Sequence, residues 1–115
     1  MPATDAVTID LFDLARERVA AGAAYLDDNE PGWAARIDLN RLNLGSCFGC
    51  ILGQLYGSYS GAPVFDEDDD RIEVAEPLGF DTTGPWRGNP SYEHLNAAWR
   101  TEIAARTAGP DAMRE

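Results

Sequence analysis

The sequence predicts an all-α protein: a compact single-domain helical bundle with a central Gly-rich helix and short helical turns in the connections. Three observations carry that expectation. Two long segments place apolar residues at intervals of three and four, the spacing of one face of an α-helix. Helix start and stop signals, serine or Asn-Pro at the start and glycine or proline at the end, bracket the candidate elements. The chain of 115 residues with 44% hydrophobic content is long enough for one core and too short for two ordinary domains.

The first helix runs from about Thr8, with Leu11, Leu14, Ala15, Val19, Gly22, Ala23 and Leu26 on one face and Asp13, Arg16 and Glu17 elsewhere. Asp10 and Asp13 suit the positive end of its dipole, and it should stop at 27–29, ahead of Pro31-Gly32. Pro31 can occupy the first position of a second, short helical turn that carries Trp33 and Ile37 inward. Residues 38–44 read as a one-turn helix or an irregular link.

Ser46 is the expected N-cap of a third helix over 47–57. Gly45, Gly49, Gly53, Gly57 and Gly61 recur every four residues. Several of them would line one side of that helix as a groove, and a mid-helix glycine costs about 1 kcal/mol relative to alanine. Close approach of another backbone, from this chain, a second copy in a homodimer or another protein, is the compensating reason. The opposite face carries Phe48, Ile51, Leu52, Leu55 and Tyr59. The acidic stretch at about 58–70 is expected to be a mobile, solvated loop. A short helix over 71–78 follows, capped by a preceding aspartate and ended by Gly79, with Phe80 plugging the core. Asn89-Pro90 should start the last helix, with Tyr92, Leu95, Trp99 and Ile103 on its apolar face, ending before Gly109-Pro110. Flexible ends are expected at 1–6 and 108–115.

The formal net charge is −11, and all nine cations are arginine. Such a surface repels phosphate backbones and argues against direct DNA or RNA binding. The same sign suits an acidic DNA mimic, although acidic surfaces also simply keep proteins soluble. The least charged run, 42–63, is interrupted by serines, Asn43, Gln54 and glycines, unlike a membrane span. The opening Met1-Pro2-Ala3-Thr4-Asp5 lacks the basic start and apolar stretch of a secretory signal. A cytoplasmic protein with reduced cysteines is the resulting expectation.

Cys47-Phe48-Gly49-Cys50 is the one pattern that invites chemistry. A helix start favours a thiolate, but a thioredoxin-like site also needs a strand leading into the motif, and 39–44 is a poor strand. Zinc is the second reading, with Cys47, Cys50 and His94 as candidate ligands and a fourth required from a carboxylate or another subunit. Buried cysteines acting as small hydrophobes are the plain alternative. Asp66, Asp68 and Asp70 match the odd positions of an EF-hand loop, but Arg71 and Pro77 stand where glycine and glutamate are needed. With one histidine and no G-x-S-x-G elbow there is little to build a hydrolase from, and a chain without lysine has no phosphate loop.

Pro31-Gly32-Trp33, Ile37-Asp38-Leu39, the C-F-G-C-I-L-G-Q-L-Y-G stretch over 47–57, Leu78-Gly79-Phe80 and the 95–99 segment resemble a family of small hypothetical proteins encoded by actinobacteria and their phages. That family shares a G-W…I-D-L…C…L-G-Q-L-x-G-x-Y pattern, and the resemblance covers most of the chain from about Gly22 to Ile103. It implies a phage or prophage accessory protein that acts by binding a host protein, and it brings no catalytic residue with it. The leading expectation is therefore a non-enzymatic protein-binding module. Its contact surface would include Tyr56, Tyr59, Trp86 and the acidic loop at Asp68 and Asp69, since exposed aromatics mark interfaces. Core packing is the competing role for the same rings. A metal- or thiol-dependent protein and a DNA mimic are the alternatives.

Overall fold

The computed structural model describes residues 11–46, 48–65, 71–84 and 88–113, with the side chains of Ser60 and 108–113 left aside. Among these residues the helices are α1 (Leu11–Asn29), α2 (Ile51–Tyr56), α3 (Arg71–Ala75) and α4 (Tyr92–Met113). Three 3-10 turns, Trp33–Arg36, Tyr59–Gly61 and Glu76–Leu78, join them, and no strand occurs among the described residues. The protein is all-α, as its sequence predicts.

Helix α1 buries Ala15, Val19, Gly22, Ala23 and Leu26, the stripe expected from the three- and four-residue spacing, and packs along α4. It ends at Asn29, as foreseen. Pro31 does not begin the next turn. Gly32 takes a left-handed conformation at φ 83° and launches Trp33–Arg36, because a reversal of direction here needs a positive φ that proline cannot supply. Trp33 and Ile37 are buried as predicted, and residues 38–44 form irregular turns that bury Leu42 and Leu44.

The third helix is shorter than expected. Gly49 donates to the Ser46 hydroxyl at 3.0 Å, Cys50 N donates to the Ser46 carbonyl at 3.1 Å, and the Gly49 carbonyl turns back to Asn43 N at 3.1 Å. That closed loop takes up the groups a helix from 47 would need, so Ser46 caps a turn and α2 begins at Ile51 with Cys50 as its N-cap. Of the glycine series only Gly53 lies inside an α-helix, so no glycine groove forms there. The close approach lies elsewhere. A Cβ on Gly22 would run into the Leu78 carbonyl oxygen, and one on Gly79 would sit 2.8 Å from Val19 Cα. Helix α1 and the Glu76–Leu78 turn thus meet backbone to backbone.

Helix α3 and the turn after it end at Gly79, left-handed at φ 74°, and Phe80 enters the core as anticipated, 1% exposed. It stacks on Trp99 at 5.4 Å, and Trp33 meets the same indole edge-on at 5.6 Å. Trp99 Nε1 donates to the Gly79 carbonyl at 2.6 Å, satisfying a buried indole that would otherwise lose its hydrogen bond to water.

Helix α4 starts at Tyr92 rather than at Pro90. Ser91 caps it: His94 N donates to Ser91 Oγ at 3.2 Å, while Ser91 N donates back to His94 Nδ1 at 2.9 Å. This is a capping box with histidine in the usual place of glutamate. Asn89 is used otherwise, accepting from Arg18 Nη2 at 2.9 Å and donating to Thr83 Oγ1 at 2.6 Å. The helix also continues through Gly109 and Pro110 to Met113. The two long helices pack directly on each other, and α2 sits against the Trp33–Arg36 and Tyr59–Gly61 turns. The glycine-rich helix is therefore not sandwiched between them.

Candidate functional site

A cleft of about 190 Å³ opens where four segments converge, lined by Ser46, Cys50, Tyr59, Asp81 and Tyr92 with the backbone at Leu44 and Gly45. Each wall has an identifiable anchor. Leu44 N donates to Asn96 Oδ1 on α4 at 2.8 Å, which fastens the 44–46 turn to that helix. The Ser91–His94 box sets the first residue of α4, Tyr92. Asp81 follows the stacked Phe80. Tyr59 lies in a 3-10 turn capped by Ser58 Oγ, with its ring tilted against Phe65 at 5.3 Å.

Asp81 organises the polar side of the cleft. Its Oδ1 accepts from Tyr92 Oη at 2.8 Å and from Thr82 N at 2.8 Å, and the Tyr59 phenol interacts with the same carboxylate. Burial, then the bond to Asp81, pushes Tyr92 up to about 12 and raises Tyr59 further. Both phenols stay neutral, and Tyr92 spends its hydrogen on Asp81. At the floor, Cys50 is 1% exposed and its sulfur accepts from Gly53 N at 3.2 Å.

A larger hollow of about 440 Å³ lies beside Trp33 and Arg106. Its polar groups serve one another. Arg106 donates through Nε and Nη2 to both oxygens of Asp27 at 3.0 and 2.8 Å, reaches Glu102 at 2.6 Å, and lies 5.4 Å from the Trp33 ring. Trp33 Nε1 also donates to Asp27 at 2.9 Å. The Arg106 guanidinium and then the indole hold Asp27 down at about 2. This is a clasp between the end of α1, the Trp33–Arg36 turn and α4.

Of the residues singled out from the sequence, Cys47, Asp68, Asp69 and Trp86 lie outside the described residues. Cys50 and Tyr59 meet in the cleft. His94 sits in the α4 cap, with Phe12 edge-on at 4.4 Å. Among the described residues no group of three or more His, Cys, Asp or Glu side chains is placed to hold a metal. Tyr56 is half-buried. Its hydroxyl is enclosed beside Glu30 without a well-formed hydrogen bond, and burial followed by that carboxylate raises its pKa.

Sequence reasoning missed Asp81, which no local pattern distinguishes, and placed Tyr92 on the buried face, where it is 40% exposed. Tyr92 falls in the first turn of α4, ahead of the stretch that packs on α1, and turns to Asp81 instead. No described helix is long and apolar enough to cross a membrane. Comparison of the chain with family models, with curated proteins and with solved structures returns no match in any of the three.

Proposed function

We propose that the chain is a non-enzymatic protein-binding module, a phage- or prophage-encoded accessory protein that acts on a host protein, and that the Tyr59–Asp81–Tyr92 cleft with its apolar rim is the contact face. One observation carries this reading. Phe48 and Tyr92, two of the large hydrophobic residues exposed among those described, belong to this region. Phe48 lies in the turn between the lining residues Ser46 and Cys50 and Tyr92 is itself a wall, while Phe12 rests on His94 further round the first turn of α4. Exposed aromatics gathered around a concave polar spot are the composition of an interface core, where a few buried rings carry most of the binding energy. The reactive side-chain types here have structural work: Cys50 caps α2, His94 caps α4, and the Tyr92 phenol holds Asp81. The resemblance to actinobacterial and phage proteins supports the choice of host protein as partner.

The test places a photo-crosslinking amino acid at Phe48 and, in a second protein, at Ala104 on the exposed side of α4, and irradiates each in an actinobacterial lysate. A discrete adduct at Phe48 that is missing at Ala104 is expected. No adduct, or the same pattern from both positions, would refute the assignment of this face.

A further inference from the structure

We infer that the cleft is a receptor for a guanidinium group, an arginine side chain presented by the bound partner. The inference rests on the protein-binding reading and names the chemistry of its centre. Among the described residues Asp81 receives only neutral donors, the Tyr92 hydroxyl and the Thr82 amide, with the Tyr59 phenol interacting beside them, so none of these groups neutralises its charge. Among the described residues no arginine forms an ion pair with it. A carboxylate has about four lone-pair sites, which leaves room for a further N–H beside these donors.

The walls favour the same ligand. Two tyrosines line the cleft, and aromatic rings attract a cation that approaches within about 6 Å of the ring centre. The Tyr92 oxygen has given its hydrogen to Asp81, and both phenol oxygens keep lone pairs that accept from a donor-rich guest. An arginine head is flat, carries five N–H donors and no acceptor, stacks on aromatic rings and is more weakly hydrated than an ammonium. Every one of those properties has a counterpart here: a carboxylate, two phenol oxygens and two rings. An anion would meet repulsion, and a neutral guest would leave the carboxylate unmatched. The whole chain points the same way, because a net charge of −11 steers basic partners toward the surface and repels acidic ones.

The experiment titrates the full chain, followed by amide NMR spectra, with N-acetylarginine methylamide, its neutral isostere N-acetylcitrulline methylamide, and N-acetyllysine methylamide. Saturable shifts centred on the amides of Gly45, Ser46 and Thr82 are expected with the arginine derivative. Affinity for the citrulline derivative should be at least about tenfold weaker, the equivalent of about 1.4 kcal/mol. Asp81→Asn, checked for an unchanged fold by its spectrum, should lose the arginine response by a similar factor, and Tyr59→Phe should lose part of it. Equal binding of citrulline, or no shifts with arginine, overturns the inference. Lysine binding as tightly as arginine overturns the guanidinium assignment. These outcomes are separable from failure of the docking face. An adduct at Phe48 with no arginine response leaves the face standing and removes the cation pocket, whereas arginine binding without any adduct removes the face.

Discussion

Cys50 shows how a reactive residue type can be fully occupied by structure. Its sulfur takes the Gly53 amide at the start of a helix only six residues long, where an unmet buried N–H costs about 1–3 kcal/mol. Cys50→Ala is expected to lower the urea unfolding free energy by about 1 kcal/mol, within the range for lost N-caps, while Cys50→Ser restores most of it. Equal stability of the alanine and serine variants would show that the cap contributes nothing. The tyrosines make a second prediction. All four are pushed above their ordinary value, chiefly by burial, with Tyr92 at about 12. The native protein should therefore show little phenolate absorbance at pH about 10, where the urea-unfolded chain is half ionised. The sign for stability follows directly: above pH about 10 the unfolded chain loses phenolic protons that the native protein retains, so stability is complete below that pH and falls as pH rises toward 12. Phenolate appearing at pH about 10 without unfolding would contradict the burial of these rings.

At the level of elements, the contact between α1 and the turn before Phe80 is set by two glycines far apart in sequence. In an isolated helix Gly22→Ala would gain about 0.5–1 kcal/mol. Here the new methyl would meet the Leu78 carbonyl oxygen, with the Trp99 ring 3.2 Å away, so a loss of about 1–3 kcal/mol from overpacking is expected. Thermal unfolding decides the sign, and a stabilised Gly22→Ala protein would mean that the turn can retreat from α1 at little cost. The N-cap of α4 teaches a related lesson. Asn89-Pro90 is a sound start signal by local rules, yet Ser91 and His94 cap the helix because Asn89 is drawn off by Arg18 and Thr83. Arg18 is 71 residues from Asn89 along the chain, and no local pattern could announce it.

For the whole molecule, a charge of −11 on 115 residues places like charges near one another throughout a small surface, and self-repulsion disfavours the folded state. Raising salt from about 0.01 M to about 0.15 M shortens the screening length from about 30 Å to about 8 Å, and the thermal midpoint should rise over that interval. A midpoint that falls would mean that ion pairs, of which four occur among the described residues and several are well exposed, outweigh the general repulsion, contrary to the small contribution of such pairs.

The all-α class, the buried stripe of α1, the inward Trp33 and Phe80 and the face of Leu95, Trp99 and Ile103 were legible in the sequence, because they follow from the helical period of apolar residues and from turn residues with fixed backbone preferences. The short α2, the purpose of Gly22 and Gly79, the Asp27–Arg106 clasp and the Asp81 cleft were decided only in three dimensions. A tight local loop over 43–50 shortens α2, and in the others the deciding partner lies beyond the reach of a local pattern: Leu78 for Gly22, Asp27 for Arg106, Tyr92 and Tyr59 for Asp81. A helical face is a property of neighbours in sequence, whereas a cleft belongs to whichever surfaces the folded chain brings together.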